Sequence, residues 1–242
     1  VERAEVPGSF DPTIGLYSNY AYRPLSQTIG NEEVPLIRHL ITGNFLFNLG
    51  LFGFMEIGGG LPVVLIRADP DGPGEETLLR GDGFGDVSTH IKARVLDRKK
   101  MGLGIAVMSR FEFGTGTENA LVSHGDGVTI VPQLILDWDL GKRMEMAFNA
   151  GARLRSTRAL SEVVELADGT TLPRTDPVVV GSEGTWGLGM GFKLIPGRLE
   201  LIAESFGALP ITADAQRATT LEVLTAIRIF LSGNSFFTLG AS

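Results

Sequence analysis

The chain has 242 residues, a formal net charge of −7, 32 glycines and no cysteine. The absence of cysteine excludes a disulfide scaffold and a thiolate metal site. The acidic balance, with no long block of lysine or arginine, argues against a nucleic-acid partner. The length fits one all-β barrel or sandwich as well as two small domains. No apolar stretch reaches the roughly 20 residues that a membrane-spanning helix needs.

Runs of alternating apolar and polar or very small residues follow one another along the chain. Strands place successive side chains on opposite faces, so each run predicts a strand with one apolar face. In chain order the predicted strands are 13–22, 36–48, 54–66, 86–96, 103–113, 128–140, 143–155, 185–194, 198–206, 219–231 and 235–242. Residues 1–11 are polar and are predicted to be a lead-in.

The stretch from Glu183 to Leu231 has the clearest two-faced pattern, because large apolar residues alternate there with three glycines and several charges. Such strands are typical of an outer-membrane β-barrel. The residues predicted to face lipid include Leu188, Met190, Phe192, Val223 and Ile227. The residues predicted to line the lumen are Glu56, His90, Lys92, Arg94, Arg110, Glu112, Gln133, Asp137, Glu145, Arg153, Lys193, Glu200, Glu204, Glu222 and Arg228.

The connections between the predicted strands alternate between long and short. The long ones follow the odd-numbered strands and include residues 23–34, 68–85 and 156–182. Outer-membrane barrels have short periplasmic turns and longer extracellular loops, so the chain is predicted to start on the periplasmic side. Within the last long connection, Asp168-Gly169 favours a type I′ turn and predicts a hairpin over Val163 to Leu172.

The predicted strands number eleven, whereas single-chain bacterial outer-membrane barrels have an even number of antiparallel strands. We therefore expect one all-β, up-and-down transmembrane barrel domain over residues 1–242, with twelve strands. The twelfth strand either lies beyond Ser242, which is the explanation that we favour, or is supplied by something else. The same interpretation requires a cleaved signal peptide before Val1, because the first residues contain no apolar core of their own.

Three short segments carry a resemblance to a known family: Pro12 to Tyr22, Gly58 to Val63 and Gly83 to Lys92. From Asp11 onward the chain resembles the N-terminal β-barrel domain of myxobacterial-type OmpA-family outer-membrane proteins. The third segment is also similar to FadL-like and phenol-degradation-associated transporter barrels. The resemblance implies a location in the cell outer membrane and, in the OmpA-type proteins, a peptidoglycan-binding domain after the barrel.

Two functions stay open at this level. Acids and bases alternate along the predicted lumen, so they can either pair and fill it or line a path for ions and solutes. An eight-stranded barrel is filled by side chains and a sixteen-stranded one leaves a channel; twelve strands lie between. The chain is therefore predicted to be a structural, assembly or anchoring component, or a passive pore for small solutes. A soluble β-sandwich binding module is a third interpretation.

The sequence predicts partners but no catalytic chemistry. The expected partners are outer-membrane lipids, together with proteins that engage loops 68–85 and 156–182 or a further C-terminal segment. His39, His90 and His124 fall on separate elements, and Asp69 and Asp71 form only a fragment of a calcium-binding pattern. We predict no enzyme activity, no metal site and no cofactor.

Overall fold

The structure is a computed structural model that describes residues 1–29, 32–68, 81–117, 127–159, 163–165, 171–173, 179–212, 219–232 and 235–241. The regular structure of these residues is almost entirely β-strand. The strands and the single helix are β1 (Pro12–Ile29), β2 (Glu32–Leu51), β3 (Met55–Ala68), β4 (Gly81–Phe84), β5 (Ser88–Leu96), α1 (Arg98–Met101), β6 (Leu103–Phe113), β7 (Val128–Leu140), β8 (Met144–Arg153), β9 (Arg158–Ala159), β10 (Val163–Glu165), β11 (Thr171–Pro173), β12 (Val179–Val180), β13 (Glu183–Ile195), β14 (Leu199–Pro210), β15 (Thr220–Ser232) and β16 (Ser235–Ala241).

Twelve of these strands form one antiparallel sheet. Its hydrogen-bonded order is β1-β2-β3-β5-β6-β7-β8-β13-β14-β15-β16, and β4 pairs with β3 beside this path. The eleven strands of the path correspond in order to the eleven predicted strands, which confirms the all-β antiparallel fold. Within the described residues the path does not close, because β1 and β16 each have a strand partner on one side only.

The chain divides into two compact units. Unit 1 contains Val1–Val6, Lys92–Ser109 and Ile130–Ser242, and unit 2 contains Pro7–Ile91 and Arg110–Thr129. The first six residues therefore group with strands that lie far along the chain. Two small sheets accompany the large one, β10 with β11 and β9 with β12. The first of them confirms the predicted hairpin, while its turn at Asp168-Gly169 lies outside the described residues.

The predicted polar connection over residues 23–34 is wrong. Strand β1 continues to Ile29 and β2 begins at Glu32, so the first hairpin extends well beyond its predicted end. Pro24 falls where the register shifts between Tyr22 and Leu25; a proline has no N–H to donate and is tolerated at such an irregularity. The connection that follows the first strand is therefore short, and at this one place the predicted alternation of long and short connections is wrong.

Two further elements depart from the predicted loops. The short strand β4 pairs with the end of β3 and occupies part of the predicted loop 68–85. The predicted turn before residue 103 contains the one-turn helix α1, whose N-cap Asp97 accepts a hydrogen bond from Lys99 N at 3.0 Å. Gly102 ends this turn with φ of 74°, a conformation that favours glycine. In the part of the chain that the structure describes, no helix is long and apolar enough to cross a membrane.

The register gives the strands of unit 1 two distinct faces. Cross-strand pairing places five apolar residues in one row from β8 to β16: Met144, Phe192, Leu201, Ile227 and Leu239. Most of this row is exposed, up to 67% for Leu239. The opposite face carries the buried groups, and it includes an apolar cluster of Ala4, Ala106, Met108 and Ile135.

Unit 2 shows the same division by itself. Leu16, Phe45 and Leu61 are paired across β1, β2 and β3, and they are 70%, 55% and 37% exposed. Glu56 and Val64, which alternate with the outward residues of β3, are buried. Both units therefore expose an apolar sheet face, the reverse of the usual arrangement in a soluble protein.

Candidate functional site

Charged residues of unit 1 gather on the buried face of its strands. Lys193, Glu200 and Arg228 are directly paired across β13, β14 and β15, so the row alternates in sign. Arg228 Nη1 lies 3.1 Å from Glu200 Oε2, and Lys193 Nζ lies 3.2 Å from Glu145 Oε2 on β8. Because the side chains of Glu145 and Glu200 are at most 4% exposed, their charges depend on these partners. We call these four residues together with Glu204 the charged face.

Segment Val1–Val6 lies against the charged face. Its Arg3 contacts both buried carboxylates: Nη2 forms an ion pair with Glu145 Oε1 and lies 3.5 Å from Glu200 Oε1. The backbone nitrogen of Val1 lies 3.0 Å from Glu204 Oε2. A single side chain therefore joins carboxylates from two strands that are not neighbours in the sheet.

Two glycines of β13, Gly187 and Gly189, make room for this segment, and Gly191 makes room for the side chains of Glu145 and Glu200. Gly187, Gly189 and Gly191 alternate along the strand on the same side as Lys193, and all three are buried. A β-carbon built on Gly187 would lie 3.2 Å from Val1 Cγ2, and one on Gly189 would lie 3.1 Å from Val1 Cβ. Glycine inside a strand often marks the close approach of another backbone, and here it marks the position of Val1.

The segment continues past Arg3 into a second set of contacts. Ala4 is 1% exposed and packs in the apolar cluster with Ala106, Met108 and Ile135. The following residue, Glu5, accepts a hydrogen bond of 2.7 Å from Lys99 Nζ, and this bond lowers the pKa of Glu5. Arg98, next to Lys99, lies 3.5 Å from Asp137 Oδ2 and 3.7 Å from Glu145 Oε2.

Other ion pairs lie at the far ends of these strands and in unit 2. In unit 1, Glu183 forms ion pairs with Arg153 at 3.1 Å and with Arg155. In unit 2, His90 Nε2 lies 3.0 Å from Glu56 Oε1, and Arg110 Nε lies 3.0 Å from Glu112 Oε1. Both pairs of unit 2 join residues that were predicted to line the lumen, whereas in unit 1 only Arg153 was so predicted.

The structure brings many of the predicted lumen residues of unit 1 onto one face. The register places nine of them on the same side of β7, β8, β13, β14 and β15: Gln133, Asp137, Glu145, Arg153, Lys193, Glu200, Glu204, Glu222 and Arg228. Glu222 is exposed, whereas Asp137, Glu145 and Glu200 are buried. On β5, Lys92 is buried and Arg94 is half-buried. The five residues predicted to face lipid lie on the opposite side; Met190, Phe192, Val223 and Ile227 are exposed and Leu188 is half-buried.

The space left on the charged face is small. A cavity of about 40 Å³ lies beside Val1 and Arg3, and another of about 10 Å³ lies beside Ala4. One water molecule needs about 10–15 Å³ of cavity volume. The larger cavity therefore has room for a few waters and for no organic solute. Beside segment Val1–Val6 the charged face therefore leaves room for little more than water.

The histidines of the described residues do not gather into a cluster with carboxylates that could hold a metal ion. Within the described ranges no group of three or more histidines, aspartates or glutamates is arranged to hold a metal ion. His39 Nδ1 lies 2.8 Å from the Tyr20 hydroxyl and its ring stacks on that tyrosine. Asp69, Asp71 and His124 lie outside the described residues.

No protein-family model and no curated protein matches this chain. The fold and the charged face define the class as an all-β protein with one large two-faced antiparallel sheet. The resemblance to OmpA-family and FadL-like barrels stays a prediction.

The contacts of segment Val1–Val6 were not predicted, because its polar sequence indicated only a lead-in. The available signal was the row of glycines on the charged side of β13. Three alternate positions without side chains predict that something else fills the space above them. Local periodicity gives no indication of which distant segment that is.

Proposed function

We propose that this chain is an outer-membrane β-barrel that acts as a structural, assembly or anchoring component. The observation that carries the proposal is the division of the sheet into an exposed apolar face and a buried charged one. Water-soluble proteins rarely expose contiguous apolar patches larger than a few hundred Å², whereas transmembrane barrels present an apolar band to lipid and a polar interior.

The filled charged face favours a structural role over transport. Arg3, Lys193 and Arg228 neutralise Glu145 and Glu200, and the cavity that remains beside them has about 40 Å³. A barrel interior filled by ion pairs and by a chain segment resists the passage of solutes. The loops 68–85 and 156–182 are then the surfaces that we propose for protein partners.

A passive pore for small solutes is the second candidate, and one observation favours it. Part of the filling is the segment Val1–Val6 rather than strand side chains. A segment held by ion pairs and a few apolar contacts is able to leave without unfolding the sheet, which would leave the glycine row and three glutamates facing an open path.

Membrane extraction and single-channel recording test the two candidates. The protein expressed in a Gram-negative host is expected to stay in the membrane pellet after alkaline carbonate washing and to migrate faster in SDS gels without boiling. A stable monomer in the soluble fraction, without detergent, would overturn the barrel. For a protein that does insert, silence in planar bilayers supports the structural role, and stepwise conductance supports the pore.

A further inference from the structure

We propose that the glycine row of β13 and the two buried carboxylates beside it form a binding site for an extended peptide that carries an arginine. Segment Val1–Val6 occupies this site as an intramolecular ligand. The residues of the peptide site are Glu145, Gly187, Gly189, Gly191 and Glu200. This inference concerns a ligand of unit 1 and does not depend on the membrane role proposed above.

The carboxylate oxygens of the peptide site are divided between two kinds of partner. Both Oε2 atoms pair with cations of the sheet, Glu145 with Lys193 and Glu200 with Arg228. Both Oε1 atoms face the same incoming atom, Arg3 Nη2. Glu145 Oε1 is buried, and the two carboxyl groups also lie within hydrogen-bond reach of each other. The two Oε1 atoms therefore lie side by side, where a single guanidinium contacts both.

A guanidinium suits this position better than an ammonium. It is planar, stays charged, and presents several N–H donors in a fixed fork that matches carboxylates. A lysine ammonium is more strongly hydrated than a guanidinium, so bringing it between two buried carboxylates costs more. The site therefore favours arginine over lysine.

The glycine row supplies the part of the site that recognises a peptide rather than a free cation. Val1 lies over Gly187 and Gly189, within 3.1–3.2 Å of the positions that their β-carbons would take. This close approach places an aliphatic residue two positions before the arginine. On the other side of the arginine, Ala4 is 1% exposed within the apolar cluster, where a β-carbon on Gly104 would lie 3.1 Å from Ala4 Cβ. The site therefore accepts an aliphatic residue, any residue, arginine and a small residue in that order.

The competition between this segment and a separate peptide tests the proposal. The probe is the peptide Val-Glu-Arg-Ala-Glu-Val with a fluorophore at its C-terminus, and the readout is fluorescence anisotropy with detergent-purified full-length protein. An intramolecular ligand on a short tether acts at an effective concentration in the millimolar range, so the probe is titrated to several millimolar. The protein variant Arg3→Ala, which weakens the resident segment, is expected to bind the probe at least tenfold more tightly than the wild type.

A disulfide that fixes the segment gives a second measurement in a single protein. The chain has no cysteine of its own, and the short distance from Val1 Cβ to the β-carbon position of Gly189 allows a Val1→Cys, Gly189→Cys pair to bond after a small shift. Because a cysteine at position 189 crowds the place of the probe's own valine, the probe in this measurement carries glycine instead of that valine. The reduced pair is expected to bind this probe and the oxidised pair to lose that binding. The matched control is Val1→Cys alone, in which the oxidant changes nothing.

Three results would overturn the proposal. They are no binding of the probe to Arg3→Ala protein, equal binding to the oxidised and reduced pair, and equal binding of a probe with alanine in place of its arginine. Free arginine amide serves as the final competitor. It is expected to displace the probe only at concentrations at least tenfold higher than those of the unlabelled peptide. Equal potency of the two competitors would refute peptide recognition. None of these results bears on carbonate extraction, so the peptide site and the membrane role fail independently.

Discussion

Val1 lies where a side chain at Gly189 would have to be, because a β-carbon on Gly189 would lie 3.1 Å from Val1 Cβ. The two residues are 188 positions apart in the sequence, and their contact joins the first residues of the chain to the middle of β13. Whatever fills position 189 therefore decides whether segment Val1–Val6 reaches the charged face.

A valine at Gly189 is expected to expel the segment. Overpacking of this kind costs about 1–3 kcal/mol, equivalent to about 5- to 150-fold in an equilibrium. Trypsin cleaves after arginine, so limited proteolysis followed by mass spectrometry reports release of the chain up to Arg3. Gly189→Val should accelerate this cleavage by at least about fivefold. The control is Gly184→Val, where the nearest neighbours of a β-carbon lie at 3.8 Å; if both variants are cleaved at the wild-type rate, the contact is absent in solution.

Removal of one buried carboxylate is expected to destabilise unit 1 more than removal of a half-buried one. Glu200 is 1% exposed and pairs with Arg228 and Arg3, and breaking a buried pair by removing one partner costs about 3–5 kcal/mol. Glu204 lies on the same face of the same strand and is half-buried. Urea unfolding in detergent, followed by tryptophan fluorescence, should show the larger loss for Glu200→Gln. Equal losses for Glu200→Gln and Glu204→Gln would contradict the assignment of Glu200 to the centre of the network.

An arginine on the apolar face is expected to block membrane assembly. Ile227 is 46% exposed in the middle of β15, and an arginine at the lipid midplane costs about 2–4 kcal/mol in a transmembrane barrel. Glu222→Arg is the matched control, because Glu222 is an exposed residue of the same strand on the opposite face. The measurement is the fraction of protein that stays folded, and therefore migrates faster, in SDS gels of samples that were not boiled. Normal assembly of Ile227→Arg would refute the proposal that this face meets lipid.

The bond from Lys99 to Glu5 predicts a local pH dependence. It lowers the pKa of Glu5 from its ordinary value of 4.5. A lowered pKa in the folded state means that ionised Glu5 stabilises the docked segment above pH 4.5, and that this contribution is lost as the pH falls through the lowered pKa. Lys99→Met should return the pKa of Glu5 toward 4.5, measured by carbon NMR of labelled glutamate. Lys100→Met, one residue further along α1, should leave it where it is.

The strands were predictable because each one has an apolar face and a polar face within its own sequence. The alternation of Leu103–Phe113 and Val128–Leu140 gave the observed bounds of β6 and β7 from sequence alone. The hairpin of β1 and β2 was cut short, because Pro24 and Pro35 and the polar residues around them have the composition of a loop. The backbone of β1 and β2 stays paired up to Ile29 and Glu32, and the amino-acid composition of this part of the hairpin does not indicate that pairing.

The charged face was predictable only in part. Period-two alternation indicated that Lys193, Glu200 and Arg228 share one side, because that information lies within each strand. The pairing of Arg3 with Glu145 and Glu200 depends on contacts across more than 140 residues, and no local pattern specifies such a partner. The glycines of β13 showed where the space is, and the structure shows which segment enters it.

The docking of segment Val1–Val6 has a consequence for the order of folding. The surface that receives the segment includes β8, β13 and β14, so it does not exist until most of the chain has paired. Closing a loop of this length adds an entropic cost that only later contacts offset. Segment Val1–Val6 precedes all of these strands in the chain and is therefore expected to be among the last parts to reach its native position, so protection of Arg3 from trypsin would report the completion of folding.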